Sequence, residues 1–173
     1  MKKGQQYDVL FTKQNFPMIC ETEVEDTKVN VKRGIVGQKA RISITKKRKG
    51  YAEGRIIEIL ERSKIEDATP LCPHYSKCGG CSYQTLSYPN QLHLKESQVK
   101  DLLDSLNVDY TFEPIKASPQ EWGYRNKMEY SFGDEYKEGP LSLGLHRIGS
   151  IHDTITTNQC KLVHEDYNKI LDC

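Results

Sequence analysis

Three cysteines lie within ten residues of one another, in a loop that is rich in glycine and proline. Cys72, Cys78 and Cys81 follow the spacing C-x5-C-x2-C. A gap of two residues lets the backbone turn around one centre, so these thiolates can converge on a metal. Gly79 and Gly80 suit this turn, because they tolerate positive φ and allow backbone N–H groups to point at sulfur. If these cysteines share a metal centre, this loop constrains the fold more than any other stretch of the chain does.

A closed tetrahedral site needs a fourth ligand, and the best candidate is the distant Cys160. Zinc sites usually use two short cysteine hairpins, whereas this chain has one such pair and outlying cysteines. A single late cysteine is more typical of iron–sulfur ligation. The spacing therefore favours an iron–sulfur cluster over zinc. It leaves open a disulfide pair or unrelated core thiols.

The composition indicates a reducing compartment. The first residues are basic but no apolar run follows them, so neither a signal peptide nor a membrane span is expected. A cytoplasmic protein with no membrane partner follows from this, and its thiols should stay reduced. Those conditions argue against a disulfide framework and favour metal ligation.

The net charge of +1 conceals an asymmetry along the chain. Residues 1–64 contain 15 Lys and Arg against 8 Asp and Glu, a net of +7. Residues 65–173 contain 10 against 16, a net of −6. We therefore expect two domains with these bounds, of which the basic one meets a polyanion.

The basic part predicts a small barrel. Residues 38–45 alternate between apolar and polar side chains, which is typical of a half-buried strand. Four weaker strands are expected at 7–12, 19–24, 28–32 and 54–60. Five short strands in about sixty residues favour a closed barrel, which leaves few exposed edges.

Barrels of this kind often bind nucleic acid through cations and aromatic side chains. A run of four cations, closely followed by Tyr51, stands next to the clearest strand. The run either contacts RNA or is a solvated hairpin tip, and its charge alone does not separate the two interpretations. Its members are Lys46, Lys47, Arg48 and Lys49.

The acidic part predicts helices and an antiparallel strand pair. Ser87 is a suitable N-cap for a helix that ends near Leu106, and a short helix is expected within 163–173. Strands are expected at 122–133 and 141–148, joined by a turn. Their pairing would gather four basic side chains, as phosphate ligands or as ordinary outer-face residues: Arg125, Lys127, His146 and Arg147.

Several of these features together resemble the S-adenosylmethionine-dependent RNA 5-methyluridine methyltransferases. In chain order they are a basic small barrel, C-x5-C-G-G-C with Gln84 after it, Tyr-Arg-Asn-Lys at 124–127, and Gly-Leu-His-Arg-Ile-Gly-Ser at 144–150 before Cys160. The 23S ribosomal RNA branch of that family carries a TRAM domain and a 4Fe-4S cluster. The resemblance covers essentially the whole chain, as the N-terminal portion of such an enzyme.

The resemblance implies a mainly β chain with some helix: a five-stranded OB-like TRAM barrel, then an α+β central domain with an antiparallel sheet. It implies a structural 4Fe-4S cluster whose ligands are Cys72, Cys78, Cys81 and Cys160. Cys20 and Cys173 match no ligand position, and Cys20 is expected to be a buried strand residue.

The implied function is RNA recognition within an enzyme that methylates uracil C5, with an unpaired loop of ribosomal RNA as the expected target. Uracil C5 becomes nucleophilic only after a thiolate adds at C6, so the family needs a catalytic cysteine. No β-α-β pattern with a Gly-rich turn follows Cys160. The Rossmann-like catalytic domain is therefore expected to be absent, and no catalytic or S-adenosylmethionine-binding residue is assigned. We expect this chain to be an inactive monomer that does not bind DNA.

Two other functions stay open at this point. A freestanding iron–sulfur redox protein would cycle its cluster between two oxidation states and would not need a basic barrel. A zinc-stabilised RNA-binding module would contain zinc and no sulfide, which elemental analysis would reveal.

Overall fold

The computed structural model describes all residues, 1–173, and begins with six strands that form one sheet. They are β1 (Gln6–Leu10), β2 (Lys13–Asn15), β3 (Ile19–Val24), β4 (Thr27–Lys32), β5 (Lys39–Lys47) and β6 (Tyr51–Glu61). Their order is β1-β5-β6-β4-β3-β2, with β4 and β6 parallel and the other neighbours antiparallel. Five of these strands were predicted, and the sequence did not indicate the three-residue β2.

The two edges of this sheet are joined by the chain itself. Its edge strands, β1 and β2, are consecutive, and only Phe11 and Thr12 lie between them. The backbone N–H of Phe11 donates to the carbonyl of Gln38, next to β5, at 3.0 Å. The N–H of Thr12 donates to the carbonyl of Glu21, on β3, at 3.0 Å. The curled sheet fits an OB-like fold and confirms the predicted mainly β class.

The core of this unit lies inside the curl. In β5 the alternation of side chains buries Ala40, Ile42 and Ile44 completely, as the sequence predicted. Cys20 of β3 is buried in the same core. Burial raises the pKa of the Cys20 thiol to about 12, so it stays protonated and packs as an apolar side chain. The prediction that Cys20 is a buried strand residue is confirmed.

The chain divides into two units that alternate along the sequence. The first contains Met1–Asp67 and Pro89–Ile115, and the second contains Ala68–Tyr88 and Lys116–Cys173. The helix α1 (Tyr88–Asp104), which was predicted from Ser87, lies almost entirely in the first unit. The domain bounds inferred from charge stay a prediction.

The second unit contains a three-stranded antiparallel sheet in the order β7-β8-β9. Its strands are β7 (Ser131–Asp134), β8 (Leu141–His146) and β9 (Thr154–Thr156), and they are followed by α2 (Glu165–Leu171). β8 and α2 confirm their predictions. The strand expected over 122–133 is wrong for residues 122–130, which form only an isolated bridge between Arg125 and Val163. Neither helix has the length and apolar composition needed to cross a bilayer.

β8 and β9 approach each other so closely that residue 144 must be glycine. A Cβ atom placed on Gly144 would lie 2.0 Å from the carbonyl oxygen of Ile155. It would also lie 2.8 Å from the backbone nitrogen and from Oγ1 of Thr157. The missing side chain therefore sets the path of the backbone that leads from β9 towards Cys160.

Candidate metal centre

Four cysteine side chains from two separate stretches of the second unit line one small cavity: Cys72, Cys78, Cys81 and Cys160. Three of them are buried and Cys81 is half-buried. None of the six cysteines forms a disulfide. The pKa of the Cys81 thiol is raised, first by burial and further by the charges of the other three. The structure thus brings together the four residues that the sequence singled out.

Backbone hydrogen bonds attach the cysteine loop to the end of β8. The N–H of Gly79 donates to the carbonyl of His146 at 3.0 Å, and the N–H of Ile148 donates to the carbonyl of Lys77 at 2.8 Å. This pairing continues the sheet by one bridge beyond its last strand residue. The position of the loop is therefore fixed by main-chain contacts that do not depend on any metal.

The glycines of the loop allow a close approach and a contact to sulfur. Neither Gly79 nor Gly80 uses the positive φ that glycine tolerates. A Cβ on Gly79 would lie 3.2 Å from the carbonyl oxygen of His146, so glycine permits the close approach to β8. The predicted N–H contact to sulfur is present, because the N–H of Gly80 donates to Cys78 Sγ at 3.3 Å.

Further hydrogen bonds hold the loop in a compact turn. The N–H of Cys72 donates to Oε1 of the buried Gln84 at 3.1 Å. The N–H of Cys78 donates to the carbonyl of His74 at 2.7 Å. The hydroxyl of Tyr75 donates to the carbonyl of Ser82 at 2.9 Å. Two of the four cysteines are thereby positioned through their own backbone nitrogens.

The fourth cysteine is held by one side chain of α2. Asn168 Oδ1 accepts the N–H of Cys160 at 2.9 Å, and its Nδ2 donates to the carbonyl of Cys160 at 3.1 Å. These two bonds fix both polar groups of the Cys160 backbone. Nothing in the sequence indicated this contact, because a pair eight residues apart across a turn has no characteristic pattern.

Three residues that line the cavity also have a buried polar atom without a partner. The atoms are His74 Nε2, Gln84 Nε2 and Thr157 Oγ1. Buried polar groups are almost always satisfied, because leaving one unpaired costs about 1–3 kcal/mol. Four thiols form a donor set whose chemistry fits an iron–sulfur cluster. The structure has no group of three or more His, Cys, Asp or Glu side chains that is placed to hold a metal ion.

The predicted basic run forms the tip of the β5–β6 hairpin in the first unit. Lys46 and Lys47 end β5, and Arg48 and Lys49 lie in the turn. All four side chains are exposed, and Arg48 Nε lies 3.5 Å from Oε1 of Glu53. An exposed tip is what both interpretations of the run expect, so its contact with RNA stays a prediction.

Two of the other predicted RNA-binding residues are paired with carboxylates. Arg147 Nη2 lies 3.4 Å from Glu135 Oε1, and its Nε lies 4.0 Å from Asp153 Oδ2. Lys127 Nζ lies 2.7 Å from Oε1 of Glu129, with both side chains exposed. These ion pairs reduce the positive charge that the two residues present.

The predicted antiparallel pair is formed only by β7 and β8, so it does not gather the four basic residues. Arg125 and Lys127 precede β7, and Arg125 lines the cysteine cavity. His146 is exposed at the end of β8. The RNA-binding role of these four residues stays a prediction.

Comparison with known proteins finds one domain family and several relatives. Residues 1–57 match the TRAM domain family. The chain is 43% identical over 172 residues to an uncharacterized RNA methyltransferase of Caldanaerobacter subterraneus subsp. tengcongensis, covering 99% of this chain and 38% of that protein. It is 42% identical over 175 residues to an uncharacterized RNA methyltransferase of Clostridium tetani, with the same coverage. A third, from Clostridium acetobutylicum, is 36% identical over 173 residues, again covering 99% of this chain and 38% of that protein.

The chain spans about 38% of the length of these curated relatives. Its first 57 residues carry the TRAM domain, and the similarity continues through both stretches that supply the cysteines. Over nearly its whole length this chain is therefore similar to a part of proteins that are named RNA methyltransferases, and its first 57 residues match the TRAM domain family.

Proposed function

We propose that this chain is the RNA-recognition and cluster-binding portion of a methyltransferase that acts on uracil C5 of RNA. The observation that carries the proposal is the convergence of four thiols on one cavity, in a chain whose relatives are named RNA methyltransferases. Cys72, Cys78, Cys81 and Cys160 would ligate a 4Fe-4S cluster. The cluster would supply a covalent link between the loop that precedes α1 and the segment that follows β9.

The chemistry of the donors supports a thiophilic centre. Thiolates select iron–sulfur clusters and zinc over hard cations such as magnesium. The unpaired amide and hydroxyl around the cavity suit a group that has several acceptor atoms, as the sulfides of a cluster are. A single ion that is already surrounded by four thiolates would offer no such acceptors apart from its ligands.

RNA recognition is proposed for the TRAM domain. Residues 1–64 carry a net charge of +7, and four cations stand exposed at one hairpin tip. Neutralising phosphates with such cations releases counterions and gives affinity that does not depend on sequence. Ribosomal RNA, in an unpaired loop, is the proposed target, and the whole enzyme would act in the cytoplasm as a monomer.

Methyl transfer is proposed to depend on the part of the longer relatives that this chain does not span. The S-adenosylmethionine site and the thiolate that adds to uracil C6 would lie there. This chain alone is therefore expected to transfer no labelled methyl group to RNA. A freestanding redox protein is less well supported, because it gives no role to the TRAM domain.

Analysis of metal and sulfide tests the proposal directly. Protein purified without oxygen should contain about four irons and four sulfides per chain. Cys160→Ser should lose the iron together with thermal stability, whereas Cys20→Ser serves as the control and should keep the iron. Stoichiometric zinc without sulfide would show that the centre is not a cluster.

A further inference from the structure

Gln84 lines the cysteine cavity and has a donor whose position is fixed. Its side chain is 7% exposed, and its Oε1 accepts the N–H of Cys72 at 3.1 Å. An N–H group needs an acceptor, so this bond decides which branch of the amide is oxygen and which is nitrogen. Nε2 must then be the other branch, and it is buried without a partner in a residue that lines the cavity.

Thr157 presents a second donor. The residue follows β9 directly and is 1% exposed, so its hydroxyl does not reach bulk solvent. Its Oγ1 has no hydrogen-bond partner, and the residue lines the same cavity as Gln84. Two residues from different stretches of the chain therefore line the cavity of the four thiols, and each has a buried donor without a partner.

Sulfur is the acceptor that this cavity offers. Four of the residues that line it are cysteines, and Gln84 already holds the backbone of one of them, Cys72.

We propose that Gln84 Nε2–H and Thr157 Oγ1–H donate hydrogen bonds to sulfur atoms of a cluster bound by the four cysteines, and that they raise its reduction potential. The inference rests on the proposed function of the cysteine site. Reduction adds negative charge to the cluster, and donors to sulfur stabilise the more negative state. Neither residue is a ligand of the centre, and both act on it as positioning residues.

Two substitutions remove the donors with little change of shape. Thr157→Val replaces only the hydroxyl, and Gln84→Met keeps a similar side-chain length. The chain offers a matched control for each one. Thr154 and Gln98 are also buried with an unpaired Oγ1 and Nε2, but neither lines the cavity, so Thr154→Val and Gln98→Met remove equivalent groups elsewhere.

The measurement is the midpoint potential of the loaded protein, followed by spectroscopy during an anaerobic redox titration. Both cavity variants should shift to more negative potential, with about a tenfold lower ratio of reduced to oxidised cluster at fixed potential. That ratio corresponds to about 59 mV for a one-electron couple. The two control variants should keep the wild-type potential.

The outcomes separate this inference from the proposed function. Wild-type protein without iron and sulfide would overturn both. Wild-type protein that loads, together with cavity variants that keep its potential, would overturn the inference alone. Gln84→Met also loses the acceptor of the Cys72 N–H, so it can fail to load. Thr157→Val keeps that bond, so the midpoint potential of this variant then tests the inference.

Discussion

Replacing Gly144 with alanine should destabilise the second unit strongly. The new Cβ would lie 2.0 Å from the carbonyl oxygen of Ile155, whereas real Cβ atoms essentially never come within 3.0 Å of another heavy atom. The obstacle is backbone, so no rotation of a side chain can relieve the contact. β8 and β9 must separate by roughly 1 Å, the difference between these two distances.

The expected loss of stability has two sources, which are overpacking at residue 144 and weaker backbone hydrogen bonds between β8 and β9. Overpacking a filled site costs about 1–3 kcal/mol, and each lost backbone hydrogen bond adds about 0.5–1.5 kcal/mol. We therefore expect a loss of about 3 kcal/mol in the free energy of unfolding. For a unit of this size, about 4–8 °C of Tm is lost per kcal/mol, so Tm should fall by more than about 10 °C.

Thermal denaturation followed by circular dichroism provides the assay, with iron content measured on the same samples. Leu141→Ala is the control, because it introduces alanine on the same strand at an exposed position. Its Tm should stay close to wild type. If Gly144→Ala melts within about 2 °C of Leu141→Ala, the close approach of β8 and β9 is not what requires glycine here.

Three further outcomes are expected. Asn168→Ala should lower the free energy of unfolding by about 1–3 kcal/mol and reduce the iron content, because it removes both hydrogen bonds to the Cys160 backbone. The control Asn158→Ala removes only an exposed hydrogen bond to Asp172 and should change neither quantity. Replacing the four hairpin cations with glutamine should weaken the salt dependence of binding to single-stranded RNA, measured by fluorescence anisotropy. The slope of log affinity against log salt concentration should fall by about 0.7 for each phosphate contact that is lost. An unchanged slope would show that the hairpin tip is only solvated. The pKa of Cys20 rises from 9.0 to about 12 on folding. The protonated thiol therefore contributes fully to the free energy of unfolding below pH 9, and this contribution is lost as the pH rises towards 12. Urea unfolding should show this loss, and Cys20→Ala should abolish that part of the pH dependence.

Patterns with enough repeats could be predicted from the sequence. β5 is nine residues long, and its alternation is evident because several periods fit within it. β2 and β9 have three residues each, which is too short for a period of two to stand out from chance. Their positions are set by pairing with neighbours, and a single sequence does not contain that information.

Alternation can also mislead when burial has another cause. Met128 and Tyr130 alternate within the predicted strand 122–133, yet neither belongs to a ladder. Met128 packs against the cluster of Cys160, Leu162 and Val163, and burial raises the pKa of Tyr130. Tyr124 and Phe132, which continue the alternation, are exposed, so the pattern did not mark one buried face.

In the candidate site, too, one part could be predicted from the sequence and another could not. Spacing was enough to single out the cysteine loop, because turn geometry around a metal is local. The unpaired donors of Gln84 and Thr157 could not be inferred, since they depend on which groups the fold leaves without partners. The helical period of α1 likewise predicted the helix but not that Val99, Leu102 and Leu106 would be exposed.

The alternation of the two units along the chain has a consequence for biosynthesis. The loop with three of the four cysteines leaves the ribosome before Pro89–Ile115, which completes the first unit. Cys160 follows Cys81 by 79 residues, an interval of roughly 4–16 s at typical elongation rates. During that interval the nascent chain presents an incomplete set of thiols. Any centre that needs all four must be assembled after translation has passed Cys160, when the TRAM domain already has its full sequence.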